Sequence, residues 1–450
     1  MAKDFDFPLK ELSRGMEYTN FFRESGRVNK ILGPMVEGTL PGASVGGVCL
    51  IKQPDRRDLE AEIVGFKDGV ALLMPMEPTT GIRMGARIEL TKGVPSMDLS
   101  DRLLGKLLDA YGRPVDEPNF SGDEIRPIHC AALAPSKRRQ ITDRFVTGVR
   151  SIDLCTPMGR GQRLGVMAAS GVGKSVLMGM IARHSEADVN VIALIGERGR
   201  EVTEFIENDL GPEGMKRSIV VAVTSDQSPV LRVRGAYAAT TIAEYFRDQG
   251  KNVLLMMDSV TRFGMALREI GLAAGEPPTT KGYTPSVFNQ LPRLLERAGP
   301  KKGSGSITGL YTVLVEGNDF DDPLADAVRS ILDGHIVLSR DLAARNHYPA
   351  IDVLQSVSRL TKVLLDSDNE KINTKIRETL DVYRTSEDLI NIGGYRKGNN
   401  QQLDYAIQVH DSLNKLLRQE IGEHCDLESA VARAKEVLGY GDVQVPTGVS

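Results

Sequence analysis

At 450 residues the chain is too long for one ordinary hydrophobic core, so two or three domains are expected. Hydrophobic residues at 41% and charged residues at 26% fit a soluble globular protein, and the lack of Trp, with aromatics at only 5%, leaves no basic and aromatic stretch of the kind that grips single-stranded nucleic acid. A formal net charge of −4 gives no general electrostatic reason to bind nucleic acid or an anionic membrane.

Cys49, Cys130, Cys155 and Cys425 show no CxxC spacing, so reduced thiols are expected and neither a disulfide frame nor a zinc site. The opening MAKDFDFPLKELSRGM has no apolar signal-peptide core. No run of about 18 apolar residues occurs, and a cytoplasmic protein is expected.

Residues 1–24 form a leader in which Phe5, Leu9, Leu12 and Met16 recur at helical steps. This segment reads either as a loose terminus or as a helix that docks on a partner, because a short isolated helix is marginal in water. Residues 25–95 have β-rich runs at 26–32, 47–52, 59–66 and 70–74, broken by Gly33-Pro34, Pro41-Gly42 and Lys67-Asp68-Gly69. Short strands at this spacing predict a small N-terminal β-barrel. Residues 96–375 carry apolar runs without polar alternation at 164–167, 189–195, 219–223, 253–257, 311–315 and 336–338. Such runs read as strands buried on both faces, and helical patterns at 174–184 and 236–249 lie between them. An α/β fold with a mainly parallel sheet follows. Residues 376–450 lose the strand runs and predict a helical C-terminal domain with helices at 376–390, 403–419 and 427–438 and a polar tail at 443–450.

The sharpest local signal is Ala168-Ala169-Ser170-Gly171-Val172-Gly173-Lys174-Ser175, which follows an apolar strand and opens a helix. That context is what a P-loop requires. Gly171 and Gly173 permit backbone angles that turn successive N–H groups into one cavity, and the helix N-terminus adds a field favourable to phosphate. Lys174 is expected on the β- and γ-phosphates of ATP and the Ser175 hydroxyl on Mg²⁺. The usual pattern begins with Gly, and Ala168 stands there. A small residue should still let the loop turn.

The run 253–257 ends in Asp258, which places a carboxylate at the sheet edge where ligands bind in α/β folds. Asp258 is expected to hold Mg²⁺ through water. Gly196-Glu197-Arg198 follows another apolar run and reaches the same edge. On residue chemistry alone Glu197 is either the group that polarises the attacking water or half of a structural ion pair.

Several stretches resemble the rotary ATP synthase β-subunit family: Thr147-Gly148-Val149-Arg150-Ser151-Ile152-Asp153, the P-loop, Gly196-Glu197-Arg198, Ala243-Glu244-Tyr245-Phe246-Arg247-Asp248 and Tyr348-Pro349-Ala350-Ile351-Asp352. Closer still to the type III secretion ATPases are Glu197-Arg198-Gly199-Arg200-Glu201-Val202, the stretch from Gly275 to Tyr283 and the stretch from Ile331 to Arg340. The resemblance implies a RecA-type P-loop domain and ATP hydrolysis. It implies that Glu197 orients the water, that Arg198 contacts the phosphate region and that Tyr348 packs on adenine. Arg359, in Ser356-Val357-Ser358-Arg359, resembles the arginine finger of a neighbouring subunit, so a homohexamer with shared sites is implied. Arg262 matches a family arginine, read here as structural support. Further implied partners are a stator-like regulator on the leader, a central stalk-like export protein, the export gate, chaperones and exported substrates, at the cytoplasmic face of the inner membrane. The Ser170-Gly171-Val172-Gly173 loop and Leu72-Leu73-Met74-Pro75 are more like the flagellar branch, whereas injectisome members more often carry an Ala-Gly-Gly-Gly loop.

Other features read as structural. In Asp319-Phe320-Asp321-Asp322-Pro323, Asp322 is expected to cap a helix whose first residue is Pro323. His335 and His347 are expected to be structural, no zinc is assigned, and Lys137-Arg138-Arg139 reads as a solvated loop. Two other functions use similar parts. A non-catalytic ring subunit would lack the Glu197 carboxylate, and a hexameric helicase would need the basic, aromatic strand-binding stretch that is missing.

Overall fold

The computed structural model describes residues 25–54, 56–91, 94–315 and 322–440. The leader with its apolar stripe, residues 319–321 and the tail at 443–450 lie outside these. Two compact units emerge, Met1–Pro95 with Ala273–Gly275, and Ser96–Leu272 with Glu276–Ser450.

In the first unit six strands, β1 (Ser25–Leu32), β2 (Met35–Thr39), β3 (Val48–Ile51), β4 (Leu59–Lys67), β5 (Val70–Pro75) and β6 (Arg87–Leu90), close an antiparallel barrel in the order β1-β2-β5-β4-β3-β6. Closure removes the exposed edges of a small sheet. Val28, Val36, Ile51, Ile63, Leu73 and Ile88 fill the interior. Asp68 and Gly69, both at positive φ, make the tight β4–β5 turn. The expected barrel is present, but the sequence runs missed β2 and β6. Both are short and interrupted by polar residues or glycine. Gly38 in β2 makes room for the barrel filler, because a Cβ there would lie 2.4 Å from the tip of the Ile88 side chain of β6 and 3.0 Å from the Arg27 carbonyl.

The second unit is built on a nine-stranded sheet. Its strands are β7 (Leu107–Leu108), β8 (Arg163–Ala168), β9 (Val189–Ile195), β10 (Ser218–Val223), β11 (Asn252–Asp258), β12 (Ser306–Leu314), β13 (Gly334–Leu338) and β14 (Val357–Ser358), in the order β14-β13-β8-β12-β11-β9-β10-β7, with Gly299–Pro300 added beside β12. All pairings are parallel except those of β14 and of Gly299–Pro300. Every expected apolar run falls in this sheet or at the end of one of its strands. Helix α1 (Lys174–His184) covers one side, and α2 (Pro229–Asp248) starts earlier than its periodicity suggested because Ser228 caps it and Pro229 fits its first turn. Asp322 caps the helix Pro323–Ile331, accepting from the N–H groups of Leu324 and Ala325.

Three further helices follow, α3 (Ser367–Asn391), α4 (Gln401–Leu417) and α5 (Leu427–Val437). The first starts at Ser367 and not at 376 because the Asp366 carboxylate accepts from the N–H groups of Asp368 and Asn369. These helices pack on the short helix Arg150–Cys155 through a buried arginine. Arg150 donates to the carbonyls of Leu416 at 2.8 Å and Arg418 at 3.1 Å and pairs with Glu423. The Thr147–Asp153 stretch is thereby explained. Asp153 accepts from Thr147 N and Oγ1, each at 2.9 Å, and from Gly148 N at 3.0 Å, closing the turn that presents Arg150. No described helix is long and apolar enough to cross a membrane.

Beneath the sheet lies a fully buried ion pair. Arg297 donates to both oxygens of Glu244, at 3.0 and 2.6 Å, and also to Thr241 Oγ1 and the Ile128 carbonyl. Removing one partner strands the other charge away from water, which costs about 3–5 kcal/mol. Arg297→Ala should therefore lose stability of that order in chemical denaturation followed by circular dichroism; a change under about 1 kcal/mol would mean that solvent or a shifted neighbour compensates Glu244.

Candidate active site

Strands β8, β9 and β11 end at one edge of the sheet, and the loops leaving them converge there. Ala168 is still a strand residue, paired with Leu314 on one side and Leu338 on the other. It has no positive φ, so alanine serves where the usual pattern has glycine. The turn comes later, at Gly171 with φ +80° and Gly173 with φ +87°. Val172 between them is buried in the core and pins the loop. Ala169 is buried, Ser170 is exposed, and Ser175 lies half-buried in the first turn of α1. Gly173 caps α1 with no side chain, so the first N–H groups of the helix are left for a ligand.

Lys174 is the centre of the crevice. Its Nζ donates to Asp258 Oδ1 and lies 3.6 Å from Glu197 Oε1. Asp258, the last residue of β11, also accepts from the Thr312 hydroxyl at 2.7 Å. Glu197 follows Gly196, whose positive φ turns the chain out of β9. A side chain at Gly196 would meet Arg262, whose Cβ would lie 2.9 Å away. Glu197 Oε1 is buried and has no hydrogen-bond partner. Burial, then the nearby Asp258 charge and the Glu201 carboxyl push the Glu197 carboxyl up to about 7, with Lys174 opposing. Glu201 is held below the ordinary range, against its own burial, by hydrogen bonds from Glu197 and the Arg198 N–H. Of the two carboxyls, Glu197 is thus the one that protonates first as pH falls.

The other sequence-predicted residues are placed as follows. Arg198 points to solvent and pairs with Glu201 at 3.3 Å. The Tyr348 ring lies beside the phosphate loop, 3.5 Å from where a Gly173 Cβ would be, and is 44% exposed. Its carbonyl accepts from Gln419 N at 3.0 Å. Arg359 stands apart from all of these. It is exposed, and its N–H donates to the carbonyl of Asp333, whose own N–H donates to Arg163 at the start of β8. The phosphate loop leaves the other end of that strand, about 17 Å away at 3.3 Å per residue.

Sequence reasoning missed Thr312 and Glu201. Each left a faint signal, a hydroxyl within an apolar strand and a second carboxylate one helical turn after Glu197. The donors suit Mg²⁺. A hydroxyl and a buried carboxylate are hard oxygen ligands, and Mg²⁺ takes only one or two such groups beside substrate phosphates. No cluster of three or more His, Cys, Asp or Glu able to hold a metal occurs among the described residues. A cavity of about 560 Å³ lies between the end of β13 and helices α3 and α4, lined by His347, Tyr383, Arg384 and Arg418 among others. No residue of the phosphate loop lines it, so it is separate from this crevice.

Residues 148–358 match the ATP synthase alpha/beta family nucleotide-binding domain, residues 28–92 its beta-barrel domain, and residues 366–436 the T3SS EscN ATPase C-terminal domain. The chain is 49% identical to the flagellum-specific ATP synthase of Bacillus subtilis, over 94% of this chain and 97% of that protein. It is 48% identical to the type 3 secretion system ATPase of Xanthomonas euvesicatoria, over 92% and 94%. Among solved structures, the assembled ATPase EscN of the enteropathogenic E. coli type III secretion system aligns with a TM-score of 0.86 and 41% identity, over 92% of this chain and all of that one. Together the fold and the crevice define a nucleotide-binding ATP hydrolase of the ATP synthase alpha/beta type. More narrowly, the chain belongs to the family of flagellum-specific and type 3 secretion system ATPases.

The raised Glu197 carboxyl has a measurable consequence. Only its deprotonated form can accept a proton, so kcat/KM for ATP should rise with pH through a midpoint near 7. Glu201→Gln removes a charge that raises Glu197, and the midpoint should move to lower pH. A midpoint that stays in place would assign the acid limb to another group, such as the nucleotide's own phosphate.

Proposed function

We propose that this protein hydrolyses Mg-ATP to energise protein export through the flagellar type III secretion apparatus, as a homohexameric ring with active sites at subunit interfaces. The observation that carries the ring is the position of Arg359, exposed and at the opposite end of β8 from its own phosphate loop. An arginine there serves a neighbouring site better than its own.

In this reading the phosphate-loop N–H groups bind the β- and γ-phosphates, and Lys174 leaves its two carboxylates to join them. Tyr348 covers the adenine. Ser175 and Asp258 hold Mg²⁺, which supplies positive charge to the phosphate oxygens when bound. Glu197 takes a proton from the attacking water as the water oxygen bonds to the γ-phosphorus and the bond to the β–γ bridging oxygen breaks. Arg198 steadies the same loop through Glu201, and Arg359 of the adjacent subunit neutralises charge on the transferring group.

The names of the relatives favour the flagellar branch, with B. subtilis, Treponema pallidum and Salmonella typhimurium proteins all called flagellum-specific. The Xanthomonas protein, nearly as similar, supports a virulence injectisome as the second reading. A related EscN structure holds its central stalk EscO, which supports a stalk-like partner for this chain. A stator-like regulator on the leader, the export gate, chaperones and exported substrates complete the proposed partners, and nucleic acid is not among them. The protein would work in the cytoplasm, peripherally at the inner-membrane export apparatus.

Glu197→Gln keeps the size of the side chain but cannot accept the proton. ATP should still bind, while turnover falls by about two orders of magnitude or more. Single-turnover cleavage near the parent rate would make Glu197 a structural partner of Lys174.

Complementation tests the shared site. Arg359→Ala and Lys174→Ala should each be inactive alone, since the finger contributes about three to five orders of magnitude. Mixed and co-assembled, they should recover part of the activity, because an intact loop on one subunit meets an intact finger on the next. No recovery at any ratio of soluble, co-assembling variants would show that Arg359 acts within its own subunit.

A further inference from the structure

Strand β12 runs between the phosphate-loop strand β8 and β11, which ends in Asp258. Thr312 on β12 is opposite Val166 of β8, and the preceding Tyr311 is opposite Met257 of β11. Thr312 is fully buried among Leu310, Tyr311, Val313 and Leu314 of its own strand. Valine has the same shape and suits a buried strand at least as well, so an unbonded hydroxyl at this position would be a cost. This one is bonded. It lies 2.7 Å from Asp258 Oδ1 and 3.3 Å from the Met257 carbonyl. A hydroxyl has one hydrogen, and the nearer, charged acceptor takes it.

Asp258 Oδ1 therefore has two side-chain donors, Thr312 and Lys174. They differ in what nucleotide binding does to them. The Lys174 ammonium stands on a mobile stem at the mouth of the phosphate loop and is needed by the phosphates. The Thr312 hydroxyl is fixed in the sheet and cannot follow. When Lys174 turns away, Thr312 is the donor that remains on Oδ1 and leaves Oδ2 directed by the same bond.

We propose that Thr312 is a positioning residue for ATP hydrolysis, holding the Asp258 carboxylate in the orientation that receives Mg²⁺ once Lys174 has moved to the phosphates. The inference rests on the reading of Asp258 as the carboxylate that holds the metal. It assigns Thr312 to the Mg-loaded state and gives it no part in binding nucleotide alone.

The test uses the full chain and a fluorescent, non-hydrolysable ATP analogue, titrated in EDTA and then with increasing Mg²⁺. Thr312→Val should raise the Mg²⁺ midpoint about tenfold or more, the usual effect of losing a partner of a metal-holding carboxylate. Affinity in EDTA should stay at the parent value. Thr312→Ser keeps the hydroxyl and should keep the parent midpoint. Asp258→Asn, run alongside, should shift the midpoint at least as far as Thr312→Val. A parent-like midpoint in Thr312→Val beside a shifted Asp258→Asn overturns the role of Thr312 alone. An unshifted Asp258→Asn overturns the metal reading itself. A Thr312→Ser midpoint as high as that of Thr312→Val also overturns the inference, because the hydroxyl is present. Should Thr312→Val not fold, Thr312→Ala against Thr312→Ser makes the same comparison.

Discussion

Two carboxylates, on the ends of different strands, face one ammonium group. Lys174 bonds Asp258 and lies 3.6 Å from Glu197, and that three-charge cluster ties the phosphate loop to β9 and β11. One positive charge does not cancel two negative ones, and because Lys174 and Thr312 both donate to Asp258, the proton is favoured on Glu197, whose carboxyl burial already pushes up. A phosphate entering alone would bring more negative charge to the same place. A phosphate entering with a divalent cation would not. The cluster thus favours an anion accompanied by its metal, and before either arrives it holds the Lys174 ammonium at the ends of β9 and β11.

The cluster depends on strands that are indifferent to it. β8, β9 and β11 are apolar on both faces and paired in register along most of their length. Strands packed on both faces fix their ends to within a fraction of a residue, since a one-residue slip would misfit the side chains close-packed on either side. Asp258 is the last paired residue of β11, Glu197 comes just past β9 after Gly196, and Lys174 follows the Gly171 and Gly173 turn beyond β8. Rigid strands and permissive turns are what allow three distant segments to place three charges within bonding distance.

Much of this was legible in the chain itself. The phosphate loop was visible because its function demands glycines, a lysine and a hydroxyl in fixed order, all local in sequence. The core strands were visible because two-sided burial leaves no polar alternation. β2 and β6 were not, since closing a barrel is a non-local event and MVEGT and RIEL carry no signal of it. Thr312 and Glu201 were missed for the same reason: each matters through the carboxylate it touches, and nothing near it in sequence names that contact. Arg359 was singled out by resemblance alone. Its physical meaning appears only when β14 is seen pairing at the far end of the sheet.

Among the bonds that join the sheet domain to its helical end, one reaches the segment that carries Tyr348. The Gln419 N–H donates to the Tyr348 carbonyl, and the Gln419 side chain is itself held by Arg150 N and Gly148 O. Gln419 lies just past the last turn of α4, at the base of the α3–α4 hairpin. Nearer the hairpin's tip α3 is tied down as well, Arg384 pairing with Asp352 at 2.7 Å and Glu387 with Arg345 at 3.0 Å. The tip exposes Leu389 and Ile392, the latter 80% accessible. The segment that carries Tyr348 therefore holds the hairpin at two levels, at Gln419 below and at Asp352 above, and this fixes where the exposed Leu389 and Ile392 stand.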